Sequence, residues 1–269
     1  MKNILVPTDF SANAETALKY ALGIAEPYKA NVLLLNTYWV NQSALVFKDI
    51  GRIMKEEADG NMNRLLQRFD NVAIGEGSLT GHVLMGDPAQ ITPKVADQKK
   101  CDLIVMGTKG ATDAVEVFMG SVTGAVLRHS HKPVLAIPSG VQYKPLKHIV
   151  LSLDHQDLPP KEVFEALRAI ALEYSAHVSI FHLRTNDNAG IDEDIYTYLD
   201  GVALSYHEVI NNKGDVYKSI NEFVDRQQAD LLCMVRRKKG FFESLFKGSA
   251  TLKQAYNSPV PLLVLMEQE

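Results

Sequence analysis

The chain of 269 residues contains two copies of one sequence pattern, and this repeat constrains the fold more than any other feature. The opening KNILVPTDFS resembles KHIVLSLDHQ at 147–156, so that Asp9 matches Asp154, 145 positions later. From Asp102 to Thr123 the match continues without a gap at an offset of 128, which makes the second copy shorter in its middle by 17 residues. Two related domains therefore explain the length better than one large domain.

Each copy alternates short apolar runs with segments of helical periodicity. In the first copy the apolar runs lie at 4–6, 32–35, 82–85, 103–106 and 134–137. The pattern predicts an α/β fold class with two tandem domains, each a five-stranded parallel sheet with helices on both faces. We place the domains at 1–140 and 146–269, and the turn-rich stretch PSGVQYKPLK at 138–147 serves as the linker.

Composition excludes several classes of protein. The net charge of −4 gives no electrostatic case for nucleic acid as a partner, and the run RRKK at 236–239 is interpreted as a solvated loop. The opening MKNILVPTDF is not a signal peptide, and no apolar run approaches the roughly 18–20 residues of a membrane span. Because Cys101 and Cys233 resemble small apolar residues of a reducing compartment, we expect a cytoplasmic protein.

Three glycines mark the stretch MGTKGATDAVEVFMGSVTGAVLRHS, which leads from the fourth strand into a helix. Ligands of open parallel sheets bind beyond the carboxyl ends of the strands, where Asp9 and Gly107 fall. Glycine lets an anion approach the main chain, and N–H groups at a helix start bind phosphate. Ser121 and Thr123 would add hydroxyl donors, and Lys109 would add a positive charge. The stretch predicts a nucleotide with its base near Asp9 and its phosphates on the loop.

Simpler interpretations of the same residues remain open at this point. The nucleotide motifs G-x-x-x-x-G-K-(S/T) and G-x-G-x-x-G are absent. Glycines at a strand-to-helix junction also serve turns and helix caps, and Asp9 could cap the helix that starts near Ser11. A scaffold that binds no nucleotide is therefore an alternative.

The glycine spacing resembles the signature of a known family. Gly107-x-x-Gly110, followed after nine residues by Gly-Ser, fits the pattern G-2x-G-9x-G-(S/T) of the universal stress protein family. The opening ILVPTDFSANAETALKYA and the later PVLAIP are similar to that family's first strand and helix and its last strand. The resemblance implies two tandem flavodoxin-like domains of the adenine nucleotide alpha hydrolase-like type, and an ATP-binding function.

Carried over position by position, the resemblance implies a nucleotide site in the first copy. Asp9 would lie near the adenosine, together with its neighbours Pro7 and Thr8, and Thr37 would contact the base through its main chain. The ligand would be ATP or another adenine nucleotide, and a triphosphate usually brings Mg²⁺. The ribose and phosphates would be lined by Met106, Gly107, Lys109, Gly110, Gly120, Ser121, Val122 and Thr123.

The second copy departs from the signature where the phosphates would lie. Val235 and Lys238 stand at the positions of the first two glycines, so side chains occupy the space that phosphates need. Gly248, Ser249 and Asp154 remain, which favours an intact fold with a degenerate site. We therefore expect one nucleotide site per chain.

The sequence favours a non-enzymatic, ATP-binding stress or regulatory protein. It shows no acid–base pair and no nucleophile beside a base, which a confident assignment as a hydrolase requires. A slow ATP hydrolase or nucleotidyl-transfer enzyme on the same site is the alternative. The family also implies pairing of the last strands of two units, which a tandem chain would achieve internally by placing Val134–Ile137 beside Val260–Leu265. Two chains could then associate as a homodimer.

Overall fold

The structure is a computed structural model that describes residues 1–39, 49–70, 76–108, 121–153, 158–184, 192–210, 216–237 and 258–267. In the first half the strands are β1 (Asn3–Pro7), β2 (Asn31–Tyr38), β3 (Leu79–Met85), β4 (Leu103–Gly107) and β5 (Val134–Ile137). The helices of that half are α1 (Ala12–Tyr28), α2 (Ile50–Arg68), α3 (Pro88–Gln98) and α4 (Ser121–His129).

The second half repeats this alternation. Its strands are β6 (His148–Leu153), β7 (His177–Arg184), β8 (Ala203–Ile210), β9 (Leu231–Arg236) and β10 (Leu262–Met266). Its helices are α5 (Glu165–Tyr174), α6 (Asp194–Tyr198) and α7 (Val216–Arg226), and a short 3₁₀ helix (Lys161–Phe164) precedes α5. Within the described residues, no helix combines the length and the apolar character that crossing a membrane requires.

Side-chain caps define where two helices of the first half, α1 and α3, begin. Ser11 precedes α1 in an extended conformation, and its Oγ accepts a hydrogen bond from the N–H of Ala14. Asp87 caps α3 in the same way by accepting from the N–H of Ala89, and Pro88 occupies the first turn. The sequence signals for these two helix starts are local, which is why they were readable without tertiary information.

The ten strands form one continuous sheet in the order β3-β2-β1-β4-β5-β10-β9-β6-β7-β8. Every neighbouring pair is parallel except β5 and β10, which are antiparallel. The α/β class with two tandem, parallel-stranded units is confirmed. Within each unit the strand order is 3-2-1-4-5, which matches the first five positions of the dinucleotide-binding order 3-2-1-4-5-6 and differs from the 2-1-3-4-5 order of flavodoxin.

The antiparallel seam between β5 and β10 has a local two-fold symmetry. Leu135 pairs with Leu263, and these two residues are 128 positions apart, the offset that also relates Asp102 to Asp230. A residue that pairs with its own repeat equivalent lies on a two-fold axis. The motif NSPVPLLV contains two prolines, and this offset identifies Pro261 as the repeat equivalent of Pro133. Strand β10 follows Pro261 and therefore begins two residues later than the strand expected at Val260–Leu265.

Helices cover both faces of the sheet, and each apolar core continues across the seam. Helices α1, α2 and α5 contribute buried side chains to one core. Helices α3, α4 and α7 contribute to the core on the opposite face. Because both cores contain residues of both halves, the apolar burial that drives folding joins the two repeats as well as building each one.

Reciprocal tyrosine contacts join α1 and α5. The hydroxyl of Tyr28 donates to the carbonyl of Ala169 at 2.9 Å, and the hydroxyl of Tyr174 donates to the carbonyl of Gly23 at 3.4 Å. Both residues of one pair lie 146 positions from their counterparts in the other pair, as a two-fold interface requires. Burial raises the pKa of both phenols, so they remain protonated donors at neutral pH.

Candidate functional site

The carboxyl ends of β1 and β4 form the edge where the sequence placed a ligand. The two strands are parallel neighbours, with Ile4 opposite Leu103 and Leu5 opposite Ile104. From β1 the chain continues through α1 to β2 on one side, whereas β4 leads through α4 to β5 on the other. Such a reversal leaves a crevice beyond the strand ends, the usual ligand position in open α/β sheets.

The turn after β1 holds Asp9 at this edge. The N–H of Ser11 donates to Oδ1 of Asp9 at 3.0 Å, and the N–H of Phe10 donates to Oγ1 of Thr8 at 3.0 Å. The backbone of Phe10 has a φ of 63°, a left-handed conformation that residues other than glycine rarely adopt. The exposed Asp9 carboxylate is thus held by a well-defined turn rather than by a flexible loop.

Asn36 supports the same turn from β2, and the sequence analysis did not identify it. Its buried side-chain Nδ2 donates to the carbonyl of Thr8 at 2.7 Å, while the N–H of Thr8 donates to the carbonyl of Leu35 at 2.8 Å. The signal that could have revealed it is one amide within the otherwise apolar run VLLLN, because a buried polar side chain needs a partner. Thr37 follows it, half-buried and opposite Leu84 of β3.

The start of α4 is bound to the end of β4. Thr123 is buried, and its Oγ1 donates to the carbonyl of Gly107 at 2.8 Å. The side chain of Met106 is buried, and that of Val122 packs against the same core. The hydroxyl hydrogen of Thr123 is therefore used within the protein, where it fixes α4 to β4. Because all three side chains are directed to the protein interior, only the main-chain groups of these residues would be available to a ligand at this edge.

Gly107 is constrained by the protein itself. A Cβ at this position would lie 2.9 Å from Cγ of Asn13 and 3.2 Å from the Asn13 carbonyl oxygen, with Nδ2 closer still. The absence of a side chain thus lets the first turn of α1 approach the end of β4. In the second half Val235 occupies the matching position, and its partly buried side chain packs against the apolar core.

Part of the expected site lies outside the described residues. Asp9, Gly107 and the first turn of α4 are brought to one edge of the sheet, with Pro7 and Thr8 beside Asp9. Ser121 begins α4, and its side chain is not among those described. The residues that fall outside the described ranges are Lys109, Gly110 and Gly120, and in the second half Asp154, Lys238, Gly248 and Ser249.

Metal-binding clusters and exposed cysteines are absent from the described part of the chain. Across these ranges, no cluster of three or more His, Cys, Asp or Glu side chains has a geometry suited to a metal ion. Both cysteines are buried, and burial raises the pKa of the Cys101 thiol to about 11, so its reactive thiolate is scarce at neutral pH. What converges at the edge is a carboxylate, a glycine at a strand end and a helix start, a combination that suits a ligand with hydroxyl or amine donors at one end and phosphates at the other.

Comparison with known proteins gives a consistent result for both halves. A sequence model described as the Universal stress protein family matches residues 1–138 and 145–265. Two relatives in Methanocaldococcus jannaschii, the universal stress proteins MJ0531 and MJ0577, are 32% identical over 143 residues and 30% identical over 155 residues. Each match covers 51% of this chain, and they cover 81% and 94% of the two relatives respectively.

A solved structure extends the similarity to the whole chain. The crystal structure of a universal stress protein from Archaeoglobus fulgidus aligns with a TM-score of 0.73 and covers 99% of this chain and 97% of that one. The two sequences are 20% identical, so this similarity establishes the fold.

Proposed function

The chain belongs to the universal stress protein family, and we propose that its first half binds ATP, as a structural or regulatory ligand, in a stress response. The observation that carries the proposal is the meeting of Asp9 and Gly107 at the carboxyl ends of neighbouring strands, with the first turn of α4 bound to Gly107 through Thr123. Asp9 would accept from the ribose or the adenine amine, and the phosphates would lie at the start of α4.

The remaining site residues take part mainly through their main chains. Pro7, Thr8 and Thr37 would border the base, and Met106 and Val122 would border the ribose and phosphates. The loop residues Lys109, Gly110 and Gly120, with Ser121, would complete the phosphate site. Mg²⁺ would accompany the triphosphate, and most of its ligands would be phosphate oxygens and water.

Nucleotide binding would act through stability and conformation. A ligand that binds only the folded state adds about 2.7 kcal/mol of stability at a concentration of 100 Kd. ATP concentration could therefore set the population of a conformer that a partner recognises, with no chemical step. This mechanism needs only the binding groups that meet at the edge, and it needs neither a general base nor a nucleophile.

Identification of the bound molecule tests the proposal directly. The protein is purified without added nucleotide and denatured, and the released small molecule is analysed by mass spectrometry. Calorimetric titration then compares ATP, ADP, AMP and cAMP, each with and without Mg²⁺. We expect an adenine nucleotide to be released and ATP to bind most tightly. If no adenine compound is released and ATP does not shift the melting temperature, the chain is a scaffold and the proposal is wrong.

A hydrolysis assay separates the binding function from the alternative enzyme. We expect phosphate release from ATP to stay at the level of the buffer over many hours. Sustained turnover above that level, abolished by Gly120→Val, would instead assign the site to a slow ATP hydrolase. The same variant should lose ATP binding in either case, because a valine side chain would occupy the phosphate site.

The proposal extends to assembly and location. The two halves would remain paired through β5 and β10 in solution, and two chains could form a homodimer. Crosslinking between the two strands tests the first point, and sedimentation at several concentrations tests the second. Fractionation of cells that produce the protein would test the expected cytoplasmic location.

A further inference from the structure

Arg236, the last residue of β9, connects the second half to a helix of the first half. Its Nη1 donates to the carbonyls of Leu127 and Arg128, both at 2.6 Å, and its Nη2 donates to the carbonyl of Ser130 at 3.0 Å. All three carbonyls belong to the last turn of α4 or follow it directly. The interpretation of 236–239 as a solvated loop is therefore wrong for Arg236, which is half-buried against α4.

The chemistry of this contact is specific to a guanidinium at a helix end. The last carbonyls of an α-helix have no partners within the helix, and they carry the negative end of its dipole. A planar guanidinium supplies several donors in fixed directions and stays charged when it is partly buried, although burial lowers the pKa of Arg236. One side chain thus both satisfies and neutralises the carboxyl end of α4.

The opposite end of α4 lies at the proposed phosphate site. The helix has nine residues and is therefore about 13 Å long. Its first turn is bound to Gly107 by Thr123, and its buried residues Val126 and Leu127 share a core with Val264 and Met266 of the second half. A short helix packed in this way moves as a unit, so its C-terminal anchor also determines where its first N–H groups lie.

We propose that Arg236 is a positioning residue for phosphate binding: the second half sets the affinity of the first half for the nucleotide phosphates by anchoring α4. This inference rests on the proposed function. Arg236 touches no part of the expected ligand and acts through the helix. In this arrangement the second copy, which has Val235 and Lys238 in place of the first two signature glycines, contributes to the site of the first copy.

The repeat shows that this contact is not a general requirement of the fold. At the offset of 128, the residue that matches Arg236 is Thr108 of the first half. Thr108 continues the β4–β5 hydrogen bonding through its N–H, which donates to the carbonyl of Ile137 at 3.0 Å. The sheet is thus maintained at this position with a short side chain, and the arginine is an addition of the second half.

The test measures ATP and adenosine binding to the full chain and its variants. Arg236→Met keeps an apolar stem and removes all donors, and Arg236→Lys keeps the charge on a single nitrogen. Arg168→Met is the matched control, because Arg168 is another arginine of the second half whose Nε donates to a main-chain carbonyl, that of Asp200, at 2.9 Å. Affinities are obtained by competition against a fluorescent ATP analogue, and folding is checked by circular dichroism.

We expect Arg236→Met to weaken ATP binding by about tenfold, Arg236→Lys by about threefold, and the control by less than about twofold. Adenosine has no phosphate, so its affinity should change by less than about twofold in every variant. Equal losses for ATP and adenosine would mean that Arg236 serves folding alone, and they would overturn the inference. So would unchanged ATP binding. In that case the proposed function stands, whereas a wild-type chain that binds neither compound defeats both.

Hydrogen exchange provides a readout without any ligand. In Arg236→Lys we expect faster exchange of the α4 amides than in the wild type, including those of the first turns, while the α5 amides remain unchanged. Exchange that rises only at the last turn would show that the anchor does not reach the site, and it would overturn the inference. Failure of both Arg236 variants to fold would do the same, since it would assign the residue to stability.

Discussion

The two halves of the chain keep the same skeleton and differ at the carboxyl edge of their strands. In the first half Oδ2 of Asp102 accepts from the N–H groups of Lys2 and Asn3. In the second half Oδ2 of Asp230 accepts from Lys147 and His148 in the same way. This aspartate connects the start of the repeat's first strand to the start of its fourth. Both halves therefore retain the same link between these two neighbouring strands.

At the carboxyl ends of the strands, each half has a contact that the other half lacks. The first half has Gly107 against Asn13, whereas the second half has Val235 at the matching position, packed against the apolar core. The second half in turn has Arg236, which reaches α4 of the first half. The difference teaches that two copies of one skeleton can carry different contacts at the same edge: a glycine that admits α1 in the first half, and an apolar residue followed by a contact to the neighbouring half in the second.

The largest effect should come from breaking the shared aspartate. Asp230 is 8% exposed and also accepts from Lys144 at 2.6 Å, whereas Asp102 is exposed. We expect Asp230→Asn to lower the free energy of unfolding by about 2 to 3 kcal/mol and Asp102→Asn by about 1 kcal/mol, because a charged acceptor loses more when it is buried. Urea denaturation at pH 7 measures both. Equal losses would contradict the expected difference between the halves.

The effect of Asp230→Asn should also depend on pH. Burial by itself would raise the pKa of Asp230, but Lys144 and the two main-chain N–H groups outweigh it and hold the pKa below the ordinary value of 3.8. A lowered folded pKa contributes stability that is complete above the ordinary value and is lost as the pH falls through the folded value. The difference between wild type and variant should therefore be full above about pH 5 and shrink at about pH 3.

The next effect concerns the number of sites. We expect one ATP per chain, and we expect Asp9→Asn to weaken binding by about tenfold to thirtyfold, which corresponds to about 1.4 to 2 kcal/mol. Asparagine keeps an oxygen for the N–H of Ser11, so the turn should survive. The matched control is Asp154→Asn in the second half, which should change the affinity by less than about twofold. Calorimetry that found two sites would remove the functional distinction between the halves.

A smaller effect separates α1 from its repeat equivalent α5. A Cβ on Gly23 would lie 2.5 Å from Cγ of Tyr143, whereas the matching residue of α5 is Ala169. We expect Gly23→Ala to cost a net of about 1 kcal/mol, since overpacking exceeds the gain in helix propensity. Gly60→Ala is the control, because it meets nothing within 4 Å and should stabilise by about 0.5 to 1 kcal/mol. Thermal melting of the double variant Gly23→Ala/Tyr143→Ala tests the cause. The stability lost through Gly23→Ala should be partly recovered there, because the ring that the new Cβ meets is absent.

The smallest effect tests the reciprocal contacts of α1 and α5. Tyr28→Phe and Tyr174→Phe should each cost about 0.5 to 1 kcal/mol, because the Tyr28 hydroxyl makes the shorter hydrogen bond to a carbonyl, whereas the Tyr174 hydroxyl also pairs with the hydroxyl of Tyr143 at 3.0 Å. The Ala169 carbonyl keeps its helical partner within α5, whereas the position that would donate to the Gly23 carbonyl is Pro27, which has no N–H. Chemical denaturation of the two single variants and the double variant measures this, and the losses should add within about 0.5 kcal/mol if the two contacts are independent.

Local patterns allowed much of the fold to be predicted. The apolar run at 134–137 became β5 with the same bounds, and Ser11 and Pro88 mark helix starts as their residue types indicate. Contacts between distant residues were not predictable in this way. Asn36 acts on a turn 28 positions away, and Arg236 acts on a helix more than 100 positions away. Neither residue belongs to a local repeating pattern, so nothing in the nearby sequence identifies its distant partner.

The sequence by itself determined the duplication, the α/β class, the position of most strands and the edge at which a ligand would lie. These properties depend on spacing along the chain, which hydrophobic periodicity and glycine positions express directly. Only the tertiary structure decided the antiparallel register in which β5 meets β10, that Gly107 makes room for Asn13, and that Arg236 anchors α4. Such contacts depend on which surfaces meet after folding, and the local spacing of residues along the chain does not show that meeting.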